Sequence, residues 1–398
     1  MISVNAASKI VLSTVGSFGT DKIKLEDAIG RVLAEDVMAD RPFPPFDRVT
    51  MDGVAIVYDS LQHSRQAYTI EKVAPAGRPM QQLQDPSKCI EVMTGAILPA
   101  GTDTVIRYED LTIDDNTCII ETTPTKGQNV HVEGSDHSDK TVLLHAGHTI
   151  KAIDVNILAT VGMHSVSVNR NPSIAILSSG DELVAVESQP LQHQIRMSNV
   201  HMLKSRLTEL GVTSEHYHIN DNRQELHTKL SSLIGQYDVL LMSGGVSKGK
   251  FDFIPETLTD LGVECLFHRV AQRPGKPFWF GKNKDTTVFA FPGNPVSTLS
   301  CFHKYFIPWL AKTMHQKLKQ PTVILRSDVE FRPDLTFFAQ STIEFENGKI
   351  YADVSKGNGS GDMVHPAMMD GFVELPHGKH VYKAGEVYLF IPFYSLLK

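Results

Sequence analysis

The chain has 398 residues, of which 41% are hydrophobic and 21% charged, and carries a formal net charge of -7. That length exceeds what one hydrophobic core usually serves, so two to four domains are expected, folded throughout. The acidic balance lacks the basic footprint of a nucleic-acid binder, and no apolar run approaches the roughly 20 residues needed to cross a bilayer, so neither nucleic acid nor membrane is expected as a partner.

Taken in chain order, the sequence opens with a short amphipathic helix over 2–15. A second helix is expected over 24–36, where Leu25, Ala28, Ile29, Val32 and Leu33 recur at helical spacing, and the proline-rich Arg41-Pro-Phe-Pro-Pro-Phe46 ends it. From 51 to about 150 come short β-branched runs broken by Gly, Pro, Asp and Asn, at 67–73, 89–93, 104–108 and 117–122, the texture of a small mostly-β domain. From Pro172 strands and helices alternate: strands over 173–177, 215–219, 238–242 and 288–291, helices over 199–210, 223–235, 254–261 and 295–313. This alternation implies a parallel, doubly wound sheet. After Gln320 short strands return, with turns at Glu346-Asn-Gly-Lys349 and Pro376-His-Gly-Lys379, as in a separate C-terminal β domain.

Cys89, Cys118, Cys265 and Cys301 form no CxxC pair and read as reduced core residues rather than a disulfide framework or a zinc site. The first 16 residues intersperse Asn5, Ser8 and Lys9 among apolar residues, which is no signal peptide, and a cytoplasmic location is expected. The 17 histidines make no HxxxH or HExxH pattern.

In an open parallel sheet, ligands bind beyond the carboxyl ends of the strands. The unusual residues of this chain cluster there, in Ser178-Ser-Gly-Asp-Glu-Leu183, Asn220-Asp221, Ser243-Gly-Gly-Val-Ser-Lys-Gly-Lys-Phe-Asp252, Arg273-Pro-Gly-Lys-Pro277 and Pro292-Gly-Asn-Pro-Val-Ser297. A lone glycine pair marks a tight turn more often than a ligand site. Here Ser243, Gly244 and Gly245 are followed by Ser247, Lys248 and Lys250, which supply the donors and charge that hold phosphate. Lys276, between prolines, is a second candidate anion contact, though a turn lysine is commonly plain surface. Pro292-Gly-Asn-Pro295 reads either as a helix start or as a rigid wall for a planar ligand. Glu182, Asp221 and Asp252 are the carboxylates of these loops; Asp221 alone reads equally as a helix N-cap, but three acids beside an anion cradle suggest a divalent cation, magnesium by preference. Spacing alone leaves Asp52, Thr94 and Asp136 as ordinary turn and loop residues.

Nine segments in order resemble one family, the molybdopterin molybdenumtransferases, known as MoeA in bacteria and as the E domain of gephyrin. They include Thr50-Met-Asp-Gly53, Met93-Thr-Gly-Ala96, Gly134-Ser-Asp136, Ser179-Gly-Asp-Glu-Leu183, Ser243-Gly-Gly-Val-Ser247, Pro274-Gly-Lys-Pro277 and Pro292-Gly-Asn-Pro-Val-Ser297, and span nearly the whole chain. The resemblance implies an elongated, multidomain α/β plus β chain of four domains. These are a helical and β scaffold over 1–45 plus 137–170, an inserted small β domain over 46–136, a MoaB/Mog-like α/β molybdopterin-binding domain over 171–318, and a C-terminal β-barrel-like domain over 319–398. It further implies a homodimer that inserts molybdate into adenylylated molybdopterin with release of AMP and dependence on magnesium. Asp52, Thr94, Asp136 and Asp252 are the implied catalytic residues, and Glu182, Asp221 and Asp252 the implied metal ligands. The implied substrate contacts run through Ser179, Gly180, Asp181, Glu182, Asp221, Ser243, Gly244, Gly245, Ser247, Lys248, Lys250, Arg273, Pro274, Gly275, Lys276, Pro292, Gly293, Asn294 and Pro295. Molybdopterin adenylyltransferase and apo-molybdoenzymes are implied partners. Two alternatives stay open: the adenylyltransferase step itself, which the long N-terminal part argues against, and a non-catalytic scaffold related to gephyrin. The chain departs from the family at Arg273, where lysine is usual, and at His365-Pro366, where serine is common.

Overall fold

A computed structural model describes residues 1–61, 66–246, 253–316 and 318–394. The chain divides into two compact units, one made of 1–34, 147–151 and 165–398, the other of 35–146 and 152–164. Among the described residues no helix is long and apolar enough to cross a membrane.

The second unit is built on a six-stranded sheet in the order Thr104–Arg107, Gly53–Ile56, Cys89–Val92, Ala67–Ala74, Thr117–Ile120, Leu111–Asp114. All four β runs expected in this region are present, each within two residues of its expected end. Two small cores form, one around Val49, Ile90 and Val105, the other around Val54, Tyr68 and Cys118. Gly53 sits where a Cβ would fall 1.8 Å from the carbonyl oxygen of Ile106, so only glycine permits the pairing of its strand with Thr104–Arg107.

In the first unit the opening helix is Val4–Ser13, begun by Ser3, whose Oγ accepts from the N–H of Ala6 at 3.2 Å. Val4, Ala7 and Val11 are buried on one face, each valine contributing about 1.5–3 kcal/mol of burial. The helix expected over 24–36 is absent. A single 3-10 turn, Leu25–Asp27, forms instead; Gly30 has φ +79°, and Val32 and Leu33 pair with Thr149 and Val168. The apolar spacing is real, since Ala28, Val32 and Leu33 are buried, but no helix forms: Val32 and Leu33 sit in β-bridges, and Ile29 is 61% exposed.

The α/β sheet has the order Ser214–Ile219, Ile174–Ser179, Val239–Ser243, Thr287–Phe291, Trp279–Lys282, Glu264–His268. Its first four strands are parallel, as expected; the last two, which the alternating pattern did not reveal, complete one edge, with Trp279–Lys282 antiparallel to both Thr287–Phe291 and Glu264–His268. The three inner parallel strands are wholly buried and largely apolar because both faces are covered, whereas the edge strand Ser214–Ile219 carries Glu215, His216 and His218 and buries only Ile219. Ile174, Ile176, Val239, Leu241, Phe289 and Phe291 point into one core, with Leu203 and Leu207 of helix Asn199–Glu209; Ala175, Leu177, Leu240, Met242, Val288 and Ala290 point into the other, with Leu226 and Leu230 of helix Arg223–Leu233. The helix expected over 295–313 is continuous but widens to a π turn at Phe302–Phe306, just ahead of Pro308, which has no N–H to donate.

C-terminal to it, strands Lys349–Val354, Thr322–Leu325, Val387–Pro392 and Gly371–Leu375 follow one another in a sheet that strand Thr336–Glu346 closes by pairing with both its ends, giving a five-stranded barrel. The expected turn at Asn347-Gly348 is a two-residue hairpin with both φ values positive. Of the cysteines, Cys89, Cys118 and Cys301 are buried, whereas Cys265, on the antiparallel edge strand, is exposed and so is not a core residue.

Candidate active site

Hydrogen bonding and close backbone contact at the carboxyl ends of the parallel strands hollow out a cavity of about 1350 Å³. Strand Ile174–Ser179 turns at Gly180, φ +145°, and the chain folds back so far that a Cβ there would lie 2.6 Å from Oε2 of Glu182. Asp181 accepts the backbone N–H of Asp221 at 2.9 Å and so joins the ends of two adjacent strands. At the end of Val239–Ser243, Gly244 and Gly245 have φ +103° and +65°, and side chains on them would meet the carbonyl oxygen and Oγ of Ser179 at 2.8 and 2.9 Å. Bare backbone is therefore a steric requirement of the cradle. Gly293 completes it, its position facing the Cα of Gly244.

Arg273, Pro274, Gly275 and Lys276 form a second wall, and Pro292, Asn294 and Pro295 a third. Gly275 is equally constrained, at φ +89° with Cys301 Sγ 2.5 Å from a would-be Cβ. With Ser179, Gly180, Glu182, Asp221, Ser243, Gly244, Gly245 and Gly293, these expected contacts all line the one cavity; Asp181 does not line it and instead accepts the N–H of Asp221. Ser247, Lys248, Lys250 and Asp252 lie outside the described residues. Among the described residues no three potential ligands are grouped as a metal site; Glu182 and Asp221 both line the cavity.

Sequence reasoning missed Arg196 and two further contributions. Asn199, the first residue of its helix, donates through Nδ2 to Ser243 Oγ at 2.9 Å and to the carbonyl of Gly293 at 2.7 Å, fastening the glycine loop to the proline loop. The barrel region supplies Glu330, Arg332, Lys356 and Ser360. Ser360 is tied to the proline loop: its Oγ takes the Asn294 amide at 2.8 Å and its carbonyl the N–H of Val296 at 3.1 Å. His365 holds that segment from below, hydrogen-bonded to Ser355 Oγ at 2.8 Å and Gln340 Oε1 at 3.0 Å, so the departure at this position supports the loop. No short motif announces these residues; only the closure of the barrel brings them to the cavity.

The electrostatics follow from the lining. Arg196, Arg273, Lys276, Arg332 and Lys356 face Glu182, Asp221 and Glu330, an excess of positive charge in a partly enclosed space. Such a lining attracts polyanions more strongly than the same charges do on an open surface.

The other expected residues belong to the second unit. Asp52 Oδ1 accepts the backbone N–H of Thr94 at 2.6 Å, and this bond, with help from the Thr94 hydroxyl, holds the carboxyl below its ordinary range. Asp136 accepts from His131 Nε2 at 2.9 Å.

Two family models match the chain: one described as MoeA N-terminal region (domain I and II), over residues 2–162, and one as a probable molybdopterin binding domain, over 175–312. The molybdopterin molybdenumtransferase of Synechocystis sp. is 37% identical over 404 residues, covering 99% of this chain and 100% of that protein. The enzyme of the same name from Bacillus subtilis is 30% identical, covering 92% and 88%. The crystal structure of the molybdopterin biosynthesis MoeA protein from Pyrococcus horikosii superposes with a TM-score of 0.86 at 26% identity, over 99% of this chain and 100% of that one. Fold, glycine cradle and full-length similarity agree: the chain belongs to the molybdopterin molybdenumtransferase family.

Proposed function

We propose that the chain is a transferase of molybdenum cofactor biosynthesis that inserts molybdate into adenylylated molybdopterin with release of AMP. The observation that carries this reading is the cavity itself, with bare backbone at Gly244, Gly245 and Gly293 on one side and five cationic side chains around the rest. Molybdate and the phosphates of the nucleotide are both anions and repel one another. Arg196, Arg273, Lys276, Arg332 and Lys356 offset that repulsion, and the donors of the cradle hold the phosphoanhydride while water attacks it. Water adds to the anhydride, which breaks to release AMP and two protons; the two dithiolene sulfurs then replace two oxygens of molybdate, which depart as two waters with those two protons and the two thiol protons.

The donor set fits magnesium. Glu182 and Asp221 are hard oxygen ligands on adjacent loops, and with Asp252 they would hold the ion. Bound there, magnesium supplies charge neutralisation between carboxylate and phosphate. Asp52, Thr94 and Asp136 orient molybdate and move protons, in a cytoplasmic homodimer of four domains per chain that receives its substrate from molybdopterin adenylyltransferase and delivers its product to apo-molybdoenzymes. AMP release from adenylylated molybdopterin, measured with and without molybdate and magnesium, tests the reading. Dependence on both ions, with reconstitution of a molybdenum-free apoenzyme, is expected. Nucleotide binding with no release would overturn it in favour of a scaffold.

A further inference from the structure

We infer that His131 is a positioning residue for Asp136, locking the carboxylate in one orientation through an imidazole whose hydrogen-bond direction is set by Arg48. The inference rests on the reading that Asp136 takes part in the reaction.

The backbone around Asp136 is fixed from several sides. Its N–H donates to the carbonyl of Phe43 at 2.9 Å, Gly134 N–H to that of Pro44 at 3.0 Å, and the N–H of Glu133 to Oδ1 of Asp47 at 2.8 Å. The side chain is another matter: it is 54% exposed, and an exposed aspartate samples several rotamers unless something holds it. His131 holds it. Strand Val130–His131 pairs with Arg48–Val49 in a register that sets His131 opposite Arg48. Arg48 Nη2 lies 3.3 Å from His131 Nδ1, and His131 Nε2 lies 2.9 Å from Asp136 Oδ1.

A guanidinium only donates. His131 Nδ1 must therefore accept, which places the imidazole proton on Nε2, where it is donated to Asp136. The direction of each hydrogen bond in Arg48→His131→Asp136 is thus dictated by the first member. Asp47, next to Arg48 in the chain, accepts the N–H of Glu133 through Oδ1. The second acid of this unit is held in the same way, one oxygen of Asp52 taking the fixed N–H of Thr94. In both cases one carboxylate oxygen is committed to a rigid donor, which aims the other.

The test is AMP release by the full-length protein, with kcat and KM read separately. A glutamine can accept from Arg48 and donate to Asp136 but cannot carry a proton between them; leucine can do neither. His131→Leu is expected to lower kcat about 10- to 100-fold with KM for the nucleotide within about twofold, the cost of a misplaced group, while His131→Gln restores kcat to within about threefold of the natural enzyme. In an Asp136→Asn background, His131→Leu should add no further loss. If leucine compromises folding, His131→Asn, polar but too short to reach Asp136, takes its place. A 15N spectrum of the imidazole should show the proton on Nε2. A proton on Nδ1, an unimpaired His131→Leu, or a further loss on top of Asp136→Asn overturns the inference while leaving the functional reading intact. Full activity in Asp136→Asn alone removes Asp136 from the reaction and takes both down.

Discussion

Asn199 donates to Ser243 Oγ at 2.9 Å although 44 residues separate them, and the same amide reaches the carbonyl of Gly293. Since a backbone carbonyl only accepts, the orientation of the amide is unambiguous, with nitrogen toward the two cavity loops. Asn199→Ala should destabilise the fold by about 1–3 kcal/mol, the usual consequence of leaving partly buried partners unmatched. Asn199→Asp should be worse still, by setting a carboxylate against a carbonyl. Urea unfolding ranks the two, and equal stability of all three proteins would show that the amide does not tie the loops.

Gly244→Ala tests the cradle sterically. The added methyl falls 2.8 Å from the Ser179 carbonyl on a backbone at φ +103°. Strain of this kind costs on the order of 1–3 kcal/mol, and AMP affinity measured calorimetrically should fall roughly tenfold or more, each 1.4 kcal/mol being a factor of ten.

His303 predicts acid sensitivity. It lies fully inside the π turn beside Phe302 and Phe393, and burial, aided by the charge of Arg206, pushes its pKa down to about 3 from 6.5. Because the folded-state value is the lower one, the stability held by neutral His303 is intact above pH 6.5 and drains as pH falls from there toward 3. The total is on the order of several kcal/mol. His303→Leu should flatten the pH dependence of the unfolding free energy in that window; an unchanged slope would assign it to other groups.

Thiol titration should separate the cysteines. Cys265, an exposed residue whose sulfur is only partly desolvated, reacts in the native protein, and that partial desolvation raises its pKa so that the rate climbs at a pH somewhat above the ordinary thiol range. Cys89, Cys118 and Cys301 should react only after unfolding, and a second fast thiol below the denaturant midpoint would contradict the packing of one of these cores.

The sequence made the α/β sheet legible because its inner parallel strands are short apolar runs and its helices carry leucines at regular spacing, signals that survive without any tertiary information. The loops at its carboxyl edge followed from that topology, and Ser179, Gly244, Lys276 and Pro292 do meet at one cavity. The stretch over 24–36 misled because Val32 and Leu33 pair with partners more than a hundred residues away, while Gly30 with positive φ interrupts what the spacing suggested. Strand Trp279–Lys282 escaped notice beside its longer neighbours, and Arg332 and Lys356 look like any surface cation until the barrel closes. Long-range pairing, invisible to a local pattern, accounts for each of these omissions.

Strand Thr336–Glu346 has a second neighbour besides its barrel partners: Gln272 and Arg273 pair in parallel with Thr336 and Phe337. The segment that leads into the Arg273-Pro-Gly-Lys wall is thereby hydrogen-bonded to the stave that closes the barrel. A ligand gripped by Arg273 and Lys276 pulls on that stave, so occupancy of the cavity should be felt as slower amide deuteration along Thr336–Glu346, well beyond the atoms the ligand touches. The barrel in this view is a tensioned mount for the wall, whose stiffness sets how firmly the anion is clamped.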